Sequence, residues 1–568
     1  MKSVVAAFSL FQSGDFAGAE AMLNELLERA PEDADALHCM AAIQHQKGDL
    51  VSAARYFDRA HEASPYDAEI AFNRAVVLSV LGRHAACVEA CAGFLKLRAG
   101  DPEALLLQGV SLAALGQHEA ALAALDQTYE HRADVHARRA GLLLHLGRTE
   151  EALTAAARAN GIDPNNADAH YHRGQAFGAL ELWREAVEAF DAALALNPKQ
   201  LAIRAARAPA LANVGRFEDA LADIDPVLER SPHHSENLAR RAYILTAANR
   251  PAEALAAYDR VLALRPNDAA ALYAKCDLLL GDGDFENGLP LYEARHDVHR
   301  PFAPQSPAPL WRGQSLEGKR VLVQGEQGFG DLFQFCRFIP ELAKRGATII
   351  LQERAPTRSL MQSLDGVAEF VAVSEPAPDA DFHVPLASLM LACGTRIDTI
   401  PASIPYLHAE AERIERWREV LGPAQRTRVG VVWSGVTRHA MQKWRSLDGP
   451  ALSQLLKADV EFVSLQMEEN AIVAANGVRQ FGARIADFAE LAALIENLDI
   501  VISIDTGVAH LAGALGKPVL LMLPFRADWR WLRDRADTPW YPNMRLFRQP
   551  HFGDWRGVIS SVCAALHE

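Results

Sequence analysis

The pattern of apolar and polar positions changes once along the 568-residue chain. Up to residue 300 the chain is rich in alanine and follows a helical repeat, whereas beyond residue 310 short β-rich apolar runs alternate with helical segments. Four prolines separate the two patterns, Pro301, Pro304, Pro307 and Pro309, and their spacing predicts a stiff, extended connection. The pattern therefore predicts an all-helical first part joined to an α/β second part.

The helical part repeats with a period of 34 residues, apart from one interval of 31. The recurring turn positions are occupied by Gly14, Gly48, Gly82, Gly116, Gly147, Glu181, Gly215, Asn249 and Gly283. A small residue five positions after each turn lets the two helices of a unit pack closely, and a proline ends the second helix of many units. This period resembles the tetratricopeptide repeat over residues 1–300. The resemblance implies about nine units stacked into an all-α superhelix, whose groove binds a protein segment.

Two sets of parallel strands are expected in the α/β part, because strands and helices alternate there. Strands of the first set are predicted at Arg320–Gln324, Thr348–Gln352, Ala368–Val373 and Phe382–Pro385, with helices at Leu332–Arg345 and Pro356–Leu364. Strands of the second set are predicted at Val429–Trp433, Phe462–Gln466, Val478–Phe481, Ile500–Ile504 and Val519–Leu523. Two Rossmann-like lobes with a cleft between them resemble the GT-B fold of glycosyltransferases.

The resemblance to GT-B enzymes implies a division of the second part into segments. We expect a proline-rich linker at 301–310, an N-terminal lobe at 311–405, an interlobe segment at 406–425 and a C-terminal, donor-binding lobe at 426–568. A terminal helix at Asp554–Leu566 is expected to cross back to the first lobe. Ligands of such a fold lie at the carboxyl ends of the strands.

Composition limits the classes of partner and the cellular compartment that we expect for this protein. The net charge is −15, of which −13 falls on residues 1–300 and −2 on residues 301–568, so a nucleic-acid partner is disfavoured. Seven cysteines without zinc-site spacing indicate buried thiols in a reducing compartment, and we therefore expect a cytoplasmic protein. No run of 18 apolar residues occurs, so no membrane span is expected, and no metal site is predicted.

The first candidate site directly follows the first predicted strand. Gly328 and Gly330 permit close approach of the backbone, and Asp331 stands at the start of the next helix. The spacing of these glycines differs from that of the dinucleotide-binding fingerprint, and no acidic residue follows about 20 positions later in the required context, so this loop is not predicted to be such a motif. A carboxylate at a helix start can be a simple cap, and that alternative stays open beside a functional one.

The second candidate site lies at the end of the first strand of the second set. Ser434 and Gly435 end this strand, and the cations Arg438, Lys443 and Arg445 follow. A glycine backbone N–H and three cations suit a phosphate or diphosphate leaving group. The same three cations would also fit an exposed loop without a ligand.

The third candidate site lies between the last two predicted strands. Asp505, Thr506 and Gly507 would form a helix N-terminus, where free N–H groups and the helix dipole favour an anion. His510 lies one turn after Thr506 on the same face, which is unusual in a helix of small apolar residues. An Asp-Thr pair also serves as a plain cap, and Gln466, at the end of another strand, is a weaker candidate.

Aromatic residues and arginines are interleaved downstream of these motifs. They occupy Asp528–Arg535 and Thr538–Pro542. Such a cluster either stacks on a sugar or nucleobase or forms the core that closes the lobes, and the sequence does not separate the two interpretations.

The Gly-x-Gly-Asp loop and the Asp-Thr-Gly-x-x-His element resemble those of heptosyltransferase-like glycosyltransferases of family 9. In that family the loop aspartate is the proposed general base, which implies Asp331 here, with Glu326 as the alternative. The histidine-containing element of the family contacts the donor phosphates and sugar, which implies that Asp505 and His510 face the donor. The segment after Ser434 matches the position of the family's phosphate-binding loop.

Fusion of such a domain to tetratricopeptide repeats is similar to bacterial flagellin glycosyltransferases. The resemblance implies that a nucleotide-sugar co-substrate, a CMP-nonulosonic acid in some members, donates its sugar to Ser or Thr of a protein in the groove, with flagellin as the expected acceptor. It implies neither a cofactor nor a metal. Two alternatives stay open: a heptosyl-type enzyme acting on lipopolysaccharide, and a repeat scaffold with an inert glycosyltransferase-like domain. The short first lobe, about 100 residues, weakens the first alternative.

Overall fold

The computed structural model describes residues 2–128, 131–298, 306–435, 442–468 and 470–566. The chain forms two compact units, Met1–Val214 and Gly215–Glu568. The division falls inside the helical array and not at the proline-rich segment, because the last helices of the array pack against the α/β part.

The first unit consists of helices joined by short turns. They are α1 (Lys2–Gln12), α2 (Phe16–Arg29), α3 (Ala34–Gln46), α4 (Leu50–Ala63), α5 (Ala68–Val80), α6 (His84–Leu97), α7 (Pro102–Ala114), α8 (His118–Leu125), α9 (Ala133–His145), α10 (Thr149–Ile162), α11 (Ala167–Ala179), α12 (Trp183–Leu196) and α13 (Leu201–Asn213). The 31-residue interval of the sequence coincides with a short helix, since α8 has 8 residues where α10 has 14.

The repeat follows from local chemistry at its turns and from small residues in its core. The turn positions adopt the left-handed backbone that glycine accepts without strain, and Glu181 and Asn249 hold it at φ 59° and 55°. Aspartates such as Asp33 and Asp67 accept hydrogen bonds from the first turn of the helix they precede. The small residues five positions after each turn are all buried: Ala19, Ala53, Cys87, Ala121, Ala152, Ala186, Ala220, Ala254 and Gly288.

The second unit begins with six helices of the array and continues as two α/β lobes. The array helices are α14 (Phe217–Arg230), α15 (Ser235–Ala247), α16 (Pro251–Leu264), α17 (Ala269–Gly281), α18 (Phe285–Tyr292) and α19 (Arg295–Val298). The first lobe contains β1 (Arg320–Gln324), α20 (Phe329–Phe335), α21 (Ile339–Lys344), β2 (Thr348–Glu353), α22 (Arg358–Met361), β3 (Val367–Ala372), β4 (Phe382–Pro385) and α23 (Leu389–Ala392). Helix α24 (Ala411–Leu421) leads to the second lobe.

The second lobe completes the chain. It contains β5 (Arg428–Val432), α25 (Gln442–Arg445), α26 (Gly449–Leu455), β6 (Glu461–Ser464), α27 (Ala471–Ala475), β7 (Arg479–Gln480), α28 (Phe488–Glu496), β8 (Ile500–Ile504), α29 (Gly507–Ala514), β9 (Val519–Leu523), β10 (Met544–Arg548) and α30 (Trp555–Ala565). The sheet of the first lobe has the strand order β3-β2-β1-β4 and that of the second lobe has the order β10-β9-β8-β5-β6-β7. Every strand pair in both sheets is parallel.

Three sequence-based expectations about elements need correction. The helix predicted at Leu332–Arg345 begins earlier, at Phe329, and is divided into α20 and α21 by a 3₁₀ turn that precedes Pro340. Strand β10 was not predicted, because it is an edge strand in which exposed Arg545 alternates with buried neighbours, unlike the continuous apolar runs of the inner strands.

The third correction concerns the terminal helix. Helix α30 does not cross to the first lobe. Its apolar residues Trp555, Ile559 and Val562 pack in the core that Val431 and Met522 of the second sheet also form. Periodicity alone predicts an amphipathic helix but does not say which sheet its apolar face covers.

One hydrophobic core joins the end of the array to both lobes. Leu280, Phe285 and Tyr292 of the array lie in the same cluster as Leu332 of the first lobe and Leu511 of the second. Among the described residues, no helix has both the length and the apolar character that crossing a bilayer requires.

Candidate active site

The predicted motifs follow the carboxyl ends of neighbouring strands in the second unit. The loop at 325–331 follows β1, Ser434 and Gly435 follow β5, Gln466 follows β6, and Asp505 follows β8. Parallel α/β sheets bind ligands at this edge. Since α20 and α29 both begin there, two helix N-termini meet at the junction of the lobes.

A close contact between two glycines allows α20 and α29 to meet. A Cβ atom added at Gly330 would lie 3.0 Å from Cδ2 of His510 and 3.4 Å from Cα of Gly507. The first distance is tighter than most Cβ contacts and the second is an ordinary contact, so a side chain at Gly330 would press on His510 across the lobes, whereas no backbone angle demands glycine there.

Asp331 both caps its own helix and pairs with an arginine of the other lobe. One carboxylate oxygen accepts a hydrogen bond from the Gly328 N–H at 2.9 Å, and the other pairs with Nη2 of Arg530. The side chain remains 20% exposed. The cap that the sequence suggested is therefore present, and an exposed part of the carboxylate stays open to a ligand.

Glu326 lies only five residues earlier but has a different environment. Its side chain is 4% exposed and forms a two-point ion pair with Arg295 of α19, with N···O distances of 2.9 and 3.0 Å. The backbone N–H of Ala387 donates to it as well, at 3.0 Å. A buried carboxylate engaged in this way anchors its loop, because releasing it would leave the Arg295 charge unpaired.

Arg530 is the centre of the polar network, although no sequence motif distinguishes it from the other arginines of its segment. Its Nε donates to Oε1 of Gln334 at 2.8 Å, and its Nη1 donates to Oδ1 of Asp528 at 2.9 Å. Its Nη2 donates to Asp331 and, at 3.3 Å, to the hydroxyl of Tyr292. The only sequence signal is an arginine two residues after an aspartate within a tryptophan-rich segment, which a structural cluster would also show.

His510 is held as a neutral imidazole in the second lobe. Its Nδ1 shares a 2.9 Å hydrogen bond with the Tyr541 hydroxyl, and its ring stacks on Trp531 with centroids 5.0 Å apart. Burial, reinforced by the positive charge of Arg530, lowers the pKa of His510 to about 3. The side chain is therefore not a proton donor of imidazolium type near neutral pH.

Asp505 and Arg445 form an ion pair beside the N-terminus of α29. Nη1 of Arg445 lies 3.3 Å from Oδ2 of Asp505, and Nε2 of His510 lies 3.9 Å from Oδ1 of the same carboxylate. Burial raises the pKa of Asp505, although the charge of Arg445 opposes the shift. Thr506, the residue before α29, makes no side-chain bond to the first turn of that helix.

Gln466 fixes the end of β5. Its Oε1 accepts from the N–H groups of Trp433 and Ser434, both at 3.1 Å, and its Nε2 donates to Oγ of Ser434 at 2.6 Å. Gln466 therefore supports the loop that Gly435 begins.

Besides Arg445, the second candidate site was predicted to contain two further cations, Arg438 and Lys443. Arg438 lies outside the described residues, and Lys443 belongs to α25 without a described side chain. Arg445, whose side chain the structure does describe, lies beside Asp505 of the third candidate site.

The tryptophan-rich segment belongs to the core. Trp529, Trp531 and Trp540 are buried and lie in the cluster that joins the lobes to the array. The sequence left two interpretations of this segment open. The structure supports the first of them, a core that closes the lobes, and not a platform that stacks on a sugar.

The end of the helical array contributes residues to this site. Helix α17 packs against the segment at 529–531, and the ring of Tyr273 in this helix stacks on that of Tyr292 at 6.0 Å. Burial and the charge of Asp528 raise the pKa of Asp277 to about 7, with Arg526 opposing the shift. A domain boundary placed at the prolines hides this contribution from sequence analysis.

Comparison with known proteins finds matches in both parts of the chain. Residues 463–522 match glycosyltransferase family 9 (heptosyltransferase), and this segment includes Gln466, Asp505, Thr506, Gly507 and His510. Tetratricopeptide repeats match residues 6–68, 106–167, 142–200, 205–269 and 240–304.

Relatives are similar over part of the chain. Protein FlbA of Caulobacter vibrioides is 27% identical over 330 residues, which are 52% of this chain and 54% of that protein. The chain thus matches about half of the length of this relative. Crystal structures of MamA (23% identity, 28% of this chain, 95% of that chain, TM-score 0.27) and of YrrB, a tetratricopeptide repeat protein with an unusual peptide-binding site (22%, 32%, 95% and 0.29), are similar to the helical repeats.

Proposed function

We propose that this chain, which joins tetratricopeptide repeats to a glycosyltransferase family 9 domain, transfers a sugar from a nucleotide-sugar donor to a Ser or Thr hydroxyl of a protein acceptor held by the repeats. The observation that carries the proposal is the meeting of α20 and α29 at the junction of the lobes. It brings a partly exposed carboxylate, Asp331, next to a helix N-terminus suited to an anion. The arrangement corresponds to the two-lobed GT-B plan.

The donor phosphate would bind at the start of α29. The N-terminus of this helix offers N–H groups and a positive dipole end, and Arg445 lies beside it. Nε of Arg445 is buried and has no hydrogen-bond partner among the residues that the structure describes. A buried guanidinium N–H without an acceptor is costly unless a ligand supplies one, which favours an anionic group at this point.

The transfer step would be a displacement at the anomeric carbon. Asp331 takes the proton of the acceptor hydroxyl while the oxygen of that hydroxyl bonds to the anomeric carbon. The bond between that carbon and the donor phosphate oxygen breaks, and the phosphate leaves with the electron pair. Arg445 and the N-terminus of α29 stabilise the leaving group without a metal ion, and the transition state has oxocarbenium character.

The acceptor that we propose is flagellin, and the donor class is a CMP-linked nonulosonic acid. Support comes from the resemblance of the Glu-Gln-Gly-Phe-Gly-Asp loop and the repeat fusion to bacterial flagellin glycosyltransferases. All seven cysteines are free, which fits action in the reducing cytoplasm.

The experiment incubates the purified chain with a CMP-nonulosonic acid and unmodified flagellin, and measures flagellin mass. We expect the wild type to add the sugar mass. Asp331→Asn, which keeps the cap geometry, should lower the rate of sugar transfer by at least about 100-fold. Its affinity for the donor, measured by titration, should stay that of the wild type. Arg445→Gln should instead weaken donor binding about 10-fold.

The control for both variants is Asp365→Asn, an exposed carboxylate of the first lobe that should leave transfer unchanged. Sugar transfer to a lipid acceptor and not to protein would contradict the proposal and favour a lipopolysaccharide enzyme. Absence of saturable donor binding by the wild type would instead favour an inert scaffold.

A further inference from the structure

Two residues at the end of the repeat array reach the loop that carries Asp331. Tyr292 ends α18 and Arg295 begins α19, and each side chain is about 1% exposed. Both belong to the same compact unit as the lobes. Side chains buried this deeply against another part of the fold hold fixed positions, because the surrounding core leaves them no other rotamer.

The hydroxyl of Tyr292 makes two contacts with the site. It donates to Oε1 of Gln327 at 3.3 Å, within the loop, and accepts from Nη2 of Arg530 at 3.3 Å. The ring is fixed independently of the hydroxyl, since it packs edge-on against Trp529 at 5.7 Å and beneath the Arg295 guanidinium at 4.6 Å.

The donors of Arg530 are nearly all committed. Nε and Nη1 are engaged by Gln334 and Asp528, and the two hydrogens of Nη2 go to Asp331 and to Tyr292. The guanidinium is planar, so its orientation determines where the pairing oxygen of Asp331 lies. Removing the Tyr292 hydroxyl frees one Nη2 hydrogen in a buried site and lets the ion pair turn.

Glu326, the neighbour of Gln327, is held from the array as well. Arg295 grips both oxygens of Glu326, and its Nη2 also donates to Oγ of Ser388 at 2.6 Å. The start of the segment, Glu326 and Gln327, is therefore tied to residues that precede the lobes in sequence, and Asp331 at its other end is reached from the array through Arg530.

We propose that Tyr292 is a positioning residue for Asp331, acting through Arg530, so that the end of the repeat array completes the transferase site. The inference rests on the proposed function, in which Asp331 accepts the proton of the acceptor hydroxyl. The array then has two roles, holding the acceptor and orienting the carboxylate that activates it.

The test uses the full chain with Tyr292→Phe, which keeps the ring and removes only the hydroxyl. We expect kcat for sugar transfer to fall about 10- to 100-fold, because a small displacement of the reacting carboxylate has that effect, while the donor KM changes less than about 2-fold. The control is Tyr258→Phe, which removes the hydroxyl of another buried array tyrosine away from the loop and should leave kcat unchanged.

A double variant separates positioning from a general loss of structure. In the Asp331→Asn background, Tyr292→Phe should cause no further loss of kcat, since the group that it positions has already been removed. Equal kcat values for Tyr292→Phe and wild type, or additive losses in the double variant, would overturn the inference. Wild type without transfer would instead count against the proposed function itself.

A second variant covers the case in which Tyr292→Phe does not fold. Arg295→Lys keeps the charge but cannot grip both oxygens of Glu326. We expect a lower kcat with a nearly unchanged donor KM, because the segment before Asp331 is then held less firmly. An unchanged kcat in a folded Arg295→Lys protein would overturn the inference that the end of the repeat array completes the site.

Discussion

Arg530 illustrates how a buried charge is tolerated at the scale of one residue. Taking an arginine out of water is expensive unless its donors find acceptors. Here two carboxylates, Asp331 and Asp528, together with an amide and a phenol oxygen, surround it. The charge of Arg530 and a backbone N–H lower the pKa of Asp528 although burial opposes the shift. The residue is thus a fixed cation on which the carboxylates of the site depend.

Asp277 gives a pH-dependent prediction. Its carboxyl ionises near pH 3.8 in the unfolded chain and near pH 7 in the folded protein, because burial disfavours the charge. The folded state therefore binds the proton more tightly, and stability falls as the pH rises from about 4 to about 7. Asp277→Asn should remove this loss, so that its gain in melting temperature over wild type grows across that range and is constant above it.

Thermal unfolding at pH 4, 5.5, 7 and 8 checks the prediction. Glu286→Gln is the matched control, because it replaces an exposed carboxylate of the neighbouring helix α18 by its amide. A gain for Asp277→Asn that does not depend on pH would contradict the explanation by burial.

At the scale of elements, the turns of the repeat and their packing make separable contributions. Gly48 and Gly215 occupy equivalent turns and both have φ 82°. A Cβ at Gly48 meets nothing within 4 Å, whereas a Cβ at Gly215 would lie 2.5 Å from Cδ1 of Phe552. The two sites therefore share backbone strain and differ only in the contact.

Alanine substitution separates the two effects. Gly48→Ala should cost about 1 kcal/mol of unfolding free energy, the strain of a left-handed alanine. Gly215→Ala should cost that amount plus about 1–3 kcal/mol for displacing the aromatic ring. Denaturant titrations measure both losses, and equal values would show that Phe552 moves aside freely.

At the scale of the whole molecule, the division into units predicts which fragment folds. A fragment of residues 215–568 keeps the core that Phe285 and Tyr292 share with the lobes. A fragment of residues 306–568 loses these side chains and exposes the apolar surface around Trp529 and Trp540.

We expect the longer fragment to be monomeric and to unfold in one cooperative transition. The shorter fragment should aggregate or bind a hydrophobic dye. Gel filtration, circular dichroism and dye fluorescence distinguish the two outcomes. A monomeric shorter fragment with the same melting temperature would show that the array helices do not stabilise the lobes.

Local pattern determined much of the fold. The period of the turns, the small residues behind them and the inner strands follow from short-range periodicity, and the comparisons match tetratricopeptide repeats in the first part and glycosyltransferase family 9 over residues 463–522. Local pattern did not predict strand β10, because the apolar run is interrupted in this edge strand. Nor did it predict the sheet on which α30 packs. Both depend on neighbours that are distant in sequence.

The sequence by itself placed Asp331, Arg445, Asp505 and His510 at strand ends, because a motif after a buried strand lies at the carboxyl edge of the sheet. Only the tertiary structure decided that Glu326 is a buried ion-pair partner, that His510 is neutral and that residues of the array enter the site. These features arise from burial and from pairing between residues up to 238 positions apart. Neither burial nor such pairing leaves a periodic signal along the chain.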